Sequence, residues 1–372
     1  MQRIPLEDLH KELGASFGEF AGWRVPMSYE GTLAEHMAVR RSVGVFDISH
    51  MGRLVLRGDV LELIERVYTK KMGKTRVGFM SGPTLALNAY ARVKDDEMYY
   101  RVSDDEWLVV PNAAVRVEMY NHLRRVASEL GVNVEIRDVT MEYAMLAIQG
   151  PESPSIMEKL ASWAPDLRPL EFRVNEELGG IPVYVISRSG WTGEDGFEVW
   201  ARPGSAARLL RRLVEMGVKP VGIAARDTLR IEAGFVLGGH EYGEDPLVYP
   251  CALGLRYGLG AIDWGKTGYI GWEALRACRR EGARWVRVGL VMRKEHARVI
   301  PRQGYKILVD DVEVGWVTSG TFSPVIRRGV GQAYIDPRYD IEGMQVEIDA
   351  RGRRATAKIQ GFPLVPIGAS KK

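Results

Sequence analysis

The chain has 372 residues, 46% of them hydrophobic, and this length allows more than one buried core because single cores stop growing near roughly 250–300 residues. Its 51 basic and 48 acidic residues leave a formal net charge of +3, which excludes a bulk electrostatic attraction to nucleic acid or to an anionic membrane surface. Only two cysteines, Cys251 and Cys278, are present; they are too few for a disulfide framework or a cysteine-rich metal site, and they fit a reducing, cytoplasmic setting.

The first 50 residues predict two helices joined by a loop. Leu6 to Leu13 reads as a short helix, and the glycine-punctuated aromatic stretch from Phe17 to Pro26 reads as a loop. A second helix ends near Gly44. His50 follows with no second histidine at metal-ligand spacing, so we interpret it as a structural residue and predict no metal site. No apolar run in the chain approaches the roughly 20 residues that a membrane helix needs, so no membrane partner is expected.

Residues 51–136 alternate strand and helix patterns and predict a self-contained α+β unit. Two acidic residues, Asp95 and Asp96, fall in the segment between two of its predicted strands. The pattern alone is also typical of an acidic turn.

The stretch from Ile181 to Trp200 predicts two strands joined by a loop with three glycines. Side chains alternate along a strand, so Glu198 and Trp200 share one face of the second strand. A carboxylate beside an indole suits a flat heterocycle that carries paired N–H donors. The other interpretation is an exposed hairpin whose glutamate is merely solvated.

Two arginines share one face of the helix predicted over residues 222–234. Arg226 and Arg230 are four residues apart, and like charges at this spacing cost about 0.2–0.5 kcal/mol unless anions lie between them. Neighbouring carboxylates or a bound ligand would each supply such an anion.

Residues 260–267 match the phosphate-loop pattern of a glycine, four residues and then Gly-Lys-Thr. A genuine phosphate loop opens directly into a helix whose amides hold the anion. Gly268 and Gly271 stand where that first helical turn would be, and Ile262 and Trp264 would crowd the cradle. A nucleotide hydrolase is therefore a remote alternative.

From Ala283 onward, short alternating segments separated by glycines predict a small β-barrel or jelly-roll domain. Asp310 and Asp311 occupy its tightest predicted hairpin turn.

Five segments stand in register with the motifs of one known family: Phe20–Pro26, Val45–Gly52, Ser187–Glu198, Ala225–Ala233 and Val317–Pro324. On these segments the chain resembles the aminomethyltransferase of the glycine cleavage system, its T-protein. The resemblance implies an α+β, three-domain cloverleaf fold around a central tetrahydrofolate cavity. We accordingly expect a discontinuous folate-binding α+β domain at 1–50 and 137–280, an inserted ferredoxin-like α+β domain at 51–136, and a C-terminal β-barrel domain at 281–372.

The resemblance also implies an activity and a set of site residues. The protein would take the aminomethyl group from the dihydrolipoyl arm of the lipoylated H-protein, pass the one-carbon unit to tetrahydrofolate and release ammonia. Glu198 matches the pterin-binding glutamate, Arg226 a folate-contacting arginine, and Asp96, with Asp95 beside it, the catalytic aspartate. The further cofactor-binding positions are Trp191, Tyr100, Val110 and Met51.

A carboxylate suits this chemistry because the departing aminomethyl carbon becomes cationic, and a nearby anion stabilises that developing charge. Adjacent strand residues face opposite ways, so only one of Asp95 and Asp96 is expected to enter the pocket. Two other interpretations stay open: a folate-dependent, demethylase-like or non-catalytic member of the same family, and the nucleotide hydrolase.

Overall fold

The computed structural model describes residues 1–258 and 260–368, and these form an α+β fold. The chain divides into two compact units, one made of Met1–Leu85, Asp95–Arg226 and Gly260–Lys266, the other of Ala86–Lys94, Asp227–Leu259 and Thr267–Lys372. The three-domain division expected from the sequence stays a prediction.

The helices of the described residues are α1 (Glu7–Glu12), α2 (Thr32–Arg41), α3 (Val60–Val67), α4 (Arg116–Leu130), α5 (Ser153–Glu158), α6 (Pro203–Glu215), α7 (Ile223–Ala233), α8 (Ala252–Leu255) and α9 (Trp272–Glu281). The strands before α7 are β1 (Gln2–Arg3), β2 (Ser16–Phe20), β3 (Trp23–Ser28), β4 (Gly44–Asp47), β5 (Leu54–Gly58), β6 (Met80–Leu87), β7 (Val93–Arg101), β8 (Glu106–Val110), β9 (Val134–Asp138), β10 (Ala144–Gln149), β11 (Phe172–Leu178), β12 (Ile181–Ser187), β13 (Gly196–Ala201) and β14 (Lys219–Pro220). The strands after α9 are β15 (Val286–Met292), β16 (Lys306–Val309), β17 (Val312–Ser323), β18 (Arg328–Ile335), β19 (Gln345–Asp349) and β20 (Arg354–Gln360).

The first unit is built on two large sheets, in which β4, β6 and β10 are buried along their whole length. A six-stranded sheet has the order β11-β12-β13-β10-β4-β14, and a five-stranded sheet has the order β6-β7-β8-β5-β9. The helix α6 buries Leu209, Leu210 and Leu213, which join strand residues such as Leu146 and Val199 in one core. Residues spaced three and four apart on a helix share a face. The spacing of the leucines in the sequence therefore places them on the buried face of α6.

The predicted loop from Phe17 to Pro26 is wrong, because the structure forms a hairpin there. β2 and β3 pair antiparallel, with Phe20 opposite Trp23. The two residues between them, Ala21 and Gly22, have φ angles of 51° and 81°. Two successive positive φ angles are the geometry of the two-residue turn that matches strand twist, so the glycine closes a hairpin here instead of ending regular structure.

The second unit contains a closed barrel in the order β15-β18-β17-β16-β19-β20, which confirms the predicted C-terminal β-barrel. The tight turn predicted at Asp310 and Asp311 is also confirmed, with φ angles of 49° and 63° between β16 and β17. Inward side chains such as Leu290, Val317 and Ile348 fill the barrel, as alternation along each strand requires.

The two cysteines form a disulfide that the sequence analysis did not anticipate. Cys251 precedes α8 and Cys278 lies on α9, with a Cα–Cα distance of 6.8 Å. Cysteine count and spacing carry no information on which helices approach each other, and so the pairing emerges only from tertiary packing.

No helix of residues 1–258 and 260–368 is long and apolar enough to cross a membrane.

A buried ion pair stabilises the second unit. The Arg230 guanidinium donates to Glu241 Oε2 at 2.7 Å and to Asp227 Oδ1 at 2.9 Å. The side chains of Arg230 and Glu241 are 3% and 0% exposed. Neighbouring carboxylates therefore supply the anions that the sequence led us to expect beside Arg230.

We expect Arg230→Leu to lower the free energy of unfolding by about 3–5 kcal/mol, because Glu241 would remain as a buried charge without its guanidinium partner. Urea denaturation of the two proteins measures the difference. The matched control is Arg212→Leu, since Arg212 lies 3.8 Å from Glu215 in an exposed pair, and such pairs contribute about 0–1 kcal/mol. Equal losses for the two variants would contradict the assignment.

Candidate functional site

The hairpin of β12 and β13 carries the centre of the candidate site, as the sequence predicts. The two strands pair antiparallel, with Val185 opposite Trp200 and Ser187 opposite Glu198. Glu198 and Trp200 therefore project from the same face of β13.

The glycine loop between these strands is packed over a neighbouring glutamine. A Cβ atom on Gly190 or on Gly196 would overlap the Gln149 amide. That amide donates to Ser189 O at 2.9 Å and accepts from Thr192 Oγ1 at 2.9 Å. Two of the three glycines thus make room for an internal side chain, which holds Ser189 beside Glu198.

Glu198 lies partly buried among hydroxyl groups. Ser189 Oγ donates to its carboxylate at 2.6 Å, and Ser187 Oγ lies 2.8 Å from Ser189 Oγ. Burial raises the pKa of Glu198 above its ordinary value, while Ser189 and Arg226 act in the opposite direction. The carboxylate is therefore desolvated and electrostatically close to a guanidinium.

Two aromatic residues border this carboxylate. The rings of Tyr100 and Trp200 meet edge to face with centroids 5.5 Å apart, and both side chains are fully buried. The pKa of Tyr100 is raised well above its ordinary value, mainly by burial and secondly by the negative charge of Glu198. Neither Tyr100 Oη nor Trp200 Nε1 meets strict hydrogen-bond geometry with a partner within the described residues, although Ser187, Ser189 and Trp200 lie close enough to the Tyr100 hydroxyl to lower its pKa.

Arg226 and His50 reach the same edge of the six-stranded sheet. β4 and β14 run parallel, so the chain leaves both strands at one edge; His50 follows β4 and Arg226 lies in the first turn of α7. Burial lowers the pKa of His50 to about 3, and Arg226 adds to the effect. The imidazole is fully buried and neutral, and neither of its nitrogens has a hydrogen-bond partner within the described part of the chain.

Asp95 and Asp96 lie inside β7, so the interpretation of this segment as a turn is wrong. Both bind one amide, that of Asn112, which follows β8. Asn112 Nδ2 donates to Asp95 Oδ1 at 2.8 Å and to Asp96 Oδ1 at 2.9 Å, and Asn112 N donates to Asp95 Oδ2 at 2.9 Å. Both aspartates are buried, at 0% and 6% exposure.

Asp95 and Asp96 alternate along β7, and their carboxylates meet at Asn112 Nδ2. Asp95 alternates with Glu97 and Tyr99, and this face is a buried polar cluster in which Tyr68 Oη donates to Glu97 at 2.5 Å. Asp96 alternates with Met98 and Tyr100, and Tyr100 is the residue that borders Glu198. Asp96 therefore shares its face with the Glu198 surroundings, about 13 Å along the strand from Tyr100.

The other predicted cofactor positions lie at the edges of this region. Val110 ends β8 opposite Met98 of β7. Met51 is partly buried beside Gly52, whose N–H bonds Pro111 O at 2.8 Å, next to Asn112. Trp191 lies partly buried in the loop between β12 and β13.

The phosphate-loop match does not form a phosphate site of the expected geometry. Lys266 is 5% exposed, and its ammonium donates to Tyr68 O and Lys70 O at 2.7 and 2.8 Å and pairs with Glu65 at 2.7 Å. The next helix, α9, begins only at Trp272. This lysine serves to tie two chain segments together.

The sequence pattern does not single out Ser189 or Asn112, which contact Glu198 and Asp96. The interpretation of His50 as a structural residue stays a prediction. Ser189 had a visible signal, because it alternates with Ser187 next to a glycine in the loop. Asn112 had none, since its role depends on a contact 16 to 17 residues away across strands.

These residues suit a ligand with several polar atoms. A buried polar atom without a partner costs about 1–3 kcal/mol, and both ring nitrogens of His50, beside Arg226, are such atoms among the described residues. A flat heterocycle rich in N–H and C=O groups, such as the pteridine of a folate, matches this mixture of aromatic faces, donors and acceptors.

Comparisons with known proteins agree along the whole chain. Residues 6–259 match the GCVT N-terminal domain model, and residues 286–365 match the glycine cleavage T-protein C-terminal barrel domain model. A protein of Aeropyrum pernix named probable aminomethyltransferase is 64% identical over 371 residues, with 99% of each chain covered.

More distant relatives agree. The aminomethyltransferase of Thermus thermophilus is 37% identical, covering 99% of this chain and all of its own. The crystal structure of the glycine cleavage system aminomethyltransferase T from Bartonella henselae superposes with a TM-score of 0.88 at 28% identity, covering 99% of both chains. The chain therefore belongs to the aminomethyltransferase family, the T-proteins of the glycine cleavage system, and is a transferase of that family.

Proposed function

We propose that this enzyme transfers the one-carbon unit of an S-aminomethyldihydrolipoyl H-protein to tetrahydrofolate and releases ammonia. The observation that carries the proposal is the arrangement around Glu198 and Arg226: a desolvated carboxylate within electrostatic reach of a guanidinium, with the buried His50 beside that guanidinium. Neither nitrogen of His50 has a hydrogen-bond partner among residues 1–258 and 260–368. Such a site is costly to the empty protein and is compensated when a polar ligand supplies the partners.

In this proposal Glu198 accepts hydrogen bonds from the ring amine and the adjacent N–H of the pterin, a pairing that a carboxylate makes with both oxygens. Arg226 contributes positive charge next to the folate. Tyr100 and Trp191 supply aromatic walls, and Val110 and Met51 supply apolar ones.

Asp96 is the proposed catalytic residue. When the carbon–sulfur bond breaks, its electron pair leaves with the lipoyl sulfur, which takes up a proton, and the aminomethyl carbon becomes cationic before one folate nitrogen attacks it. The second folate nitrogen then bonds to the same carbon as the carbon–nitrogen bond to the amine breaks; a proton from that folate nitrogen passes to the amine, and ammonia leaves. A fixed carboxylate stabilises this developing charge and orients the attacking nitrogen. The position of Asp96 on the Tyr100 face of β7 supports this role, and the bonds from Asn112 restrict its rotamer.

Separate titrations with tetrahydrofolate and ATP test the proposal. We expect binding of tetrahydrofolate and none of ATP; ATP binding without folate binding would favour the nucleotide hydrolase instead. A second assay supplies H-protein that carries the aminomethyl group and measures methylenetetrahydrofolate and released ammonia. An aminomethyltransferase forms both products, whereas a demethylase-like or non-catalytic relative does not. A protein that binds folate and yet forms no product with the loaded carrier would overturn the proposed reaction. The cytoplasmic setting stays a prediction.

We expect His50→Phe to weaken tetrahydrofolate binding by about 3- to 10-fold, which corresponds to one neutral hydrogen bond. The unliganded variant should be no less stable than the wild type, because the imidazole has no described hydrogen bond to lose and a phenyl ring can keep the edge-to-face contact with Phe20. Calorimetric titration and thermal unfolding measure the two effects. His122→Phe, on α4, is the control that keeps folate affinity. Unchanged affinity of His50→Phe would show that interior water, and not the folate, satisfies the imidazole; His50→Gln is the second variant if phenylalanine does not fit.

A further inference from the structure

The Cys251–Cys278 disulfide joins two segments of the second unit that contact the same turn. This turn, residues 88–92, connects β6 to β7, and we call it the β6–β7 turn. One contacting segment is residues 244–252, which we call the strap and which contains Cys251; the other is α9, which carries Cys278. The two cysteines are 27 residues apart in the sequence, so the cross-link removes conformational freedom from both segments.

The strap contacts the β6–β7 turn near both of its ends. Asn88 Nδ2 donates to Glu244 Oε2 at 3.2 Å, and Ala252 N donates to Ala91 O at 2.9 Å. Ala252 directly follows Cys251 in the chain. The disulfide therefore lies one residue from a backbone hydrogen bond to the turn.

The start of α9 packs against the same turn. Gly271, the residue before α9, has a φ angle of 82°. A Cβ atom there would come within 2.5 Å of Asn88 O and 3.0 Å of Leu87 Cβ, so glycine allows a close approach of the two backbones. Cys278 lies about two helical turns after Gly271. The disulfide thus connects this second contact with the turn to the one made by the strap.

The strap also binds the lysine that precedes the two buried aspartates of β7. Lys94 Nζ lies 2.5 Å from Glu244 Oε1, and the two side chains are 13% and 40% exposed. Lys94 and Asp96 are two residues apart on β7, so they share a face of that strand. The position of the Lys94 ammonium consequently influences the electrostatic potential at the Asp96 carboxylate.

The disulfide lies at a cleft through which a reductant reaches it. Both cysteines line this cleft, which has a volume of about 520 Å³ and is also lined by Arg92 of the β6–β7 turn. Cys251 is 7% exposed and Cys278 is half-buried. A guanidinium at the cleft stabilises the thiolates that form when a disulfide is reduced.

We propose that the Cys251–Cys278 disulfide is a redox-controlled clamp on the β6–β7 turn, and that its reduction by a dithiol lowers the rate of the transfer at Asp96. This inference rests on the proposed function. In the oxidised protein the strap and α9 are tied together against the turn, and Glu244 retains the Lys94 ammonium. In the reduced protein the strap is held only by noncovalent contacts. The ammonium then lies closer to Asp96 for more of the time, and it opposes the charge that stabilises the cationic carbon.

The redox step is an ordinary thiol–disulfide exchange. One thiolate of the dithiol attacks a sulfur of the disulfide, and the other cysteine leaves as a thiolate and takes up a proton. The second thiol of the reductant, as its thiolate, then displaces the first cysteine from the mixed disulfide, and that cysteine is also protonated. The protein gains two electrons and two protons, and the dithiol is oxidised to its own disulfide.

Hydrogen exchange tests the clamp without any substrate. The full chain is compared in its oxidised form and after treatment with dithiothreitol, which acts on no other cysteine because the chain has only these two. We expect the amides of Ala91 and Ala252 to exchange about 10-fold faster after reduction, because contacts that open more often protect their amides less. The amide of Val317, which donates to Tyr305 O in the barrel, should keep its rate. Equal exchange of the turn and the strap in both redox states would overturn the clamp.

Steady-state kinetics test the control of turnover. After the reductant is removed without access of air, we expect the reduced wild type to have a kcat about 3- to 10-fold lower than the oxidised form, because displaced groups near the reacting atoms slow the reaction. The dissociation constant of tetrahydrofolate should stay the same, and reoxidation should restore kcat. Cys278→Ser should have the low kcat under both conditions. The dithiothreitol-treated wild type decides the question if this variant does not fold.

Two substitutions separate the role of Lys94 from a general loosening of the fold. Glu244→Gln should lower kcat even in the oxidised protein, whereas Glu273→Gln, at an exposed position on α9, is the matched control that keeps kcat. In Lys94→Met, reduction should still speed exchange in the β6–β7 turn but should no longer change kcat. A kcat of Lys94→Met that falls on reduction as much as that of the wild type would overturn the assigned part of Lys94.

Failure of this inference differs from failure of the proposed function. A wild type with equal kcat in both redox states, but a lower midpoint of thermal unfolding when reduced, would show that the disulfide serves stability alone and would overturn the redox control. A wild type that forms no methylenetetrahydrofolate in either state would overturn the proposed function and the control of turnover with it. The hydrogen-exchange result would then still decide whether the disulfide restrains the turn.

Discussion

Replacement of Asp96 by asparagine is expected to lower kcat by about 100- to 1,000-fold, the usual cost of removing one preorganised group that stabilises transition-state charge. Affinity for tetrahydrofolate should change little, because the pterin contacts are proposed for other residues. Asparagine keeps the shape of the side chain and its bond from Asn112 Nδ2, which at 2.9 Å needs only an acceptor oxygen. Steady-state rates with loaded H-protein, together with folate titration, measure both quantities.

Asp95→Asn is the matched comparison for Asp96. The Asp95 carboxylate accepts from both Asn112 N and Asn112 Nδ2, one at each oxygen, and it is fully buried on the Glu97 face. An asparagine cannot accept at both positions, so this variant should lose about 1–3 kcal/mol of stability and less turnover than Asp96→Asn. Wild-type kcat for Asp96→Asn would remove Asp96 from the catalytic role. A larger loss of kcat for folded Asp95→Asn would assign that role to its neighbour.

Replacement of Glu198 by glutamine should weaken tetrahydrofolate binding by about 10- to 150-fold, because hydrogen bonds to a charged group contribute about 1.5–3 kcal/mol. The Ser189 contact at 2.6 Å can persist with an amide oxygen, so local geometry is retained. Glu177→Gln, at an exposed position on β11 of the same sheet, is the control that should bind normally.

The dependence on pH gives the Glu198 prediction a second readout. Burial raises the pKa of this carboxyl above its ordinary value, so protonation begins at a higher pH than for an exposed glutamate. Folate affinity should therefore be full above the raised pKa and decline as the pH falls through it, since only the ionised form accepts both N–H bonds. In Glu198→Gln this acidic decline should disappear. A variant that keeps the same decline would show that another group is responsible.

The same shift fixes the sign of the effect on stability. A glutamate whose folded pKa is raised binds its proton more tightly in the folded state, so its ionisation destabilises the empty protein at neutral pH. Glu198→Gln should thus be at least as stable as the wild type without ligand, while it gains less stability from added tetrahydrofolate. Thermal unfolding with and without ligand separates this from a folding defect, in which both values would fall.

Local sequence determined much of the fold around the site. Alternation over Ile181–Ser187 and Gly196–Ala201 was sufficient to predict β12, β13 and the shared face of Glu198 and Trp200, because a two-residue period is a property of each strand by itself. The tight turn at Asp310 and Asp311 and the barrel strands were predictable for the same reason. The family motifs added residue roles, which stay predictions.

Only the tertiary structure decided the contacts between distant segments. Asn112 binds both Asp95 and Asp96, Cys251 meets Cys278, and Arg226 lies near both Glu198 and His50. The hydrophobic period of a segment predicts on which face of its own helix or strand a side chain lies. It does not predict which other element packs against that face. The partner of a buried polar group is set by packing across strands and helices. Neither the contacts of Asn112 nor the lack of a hydrogen bond to His50 within the described residues can therefore be read from the chain alone.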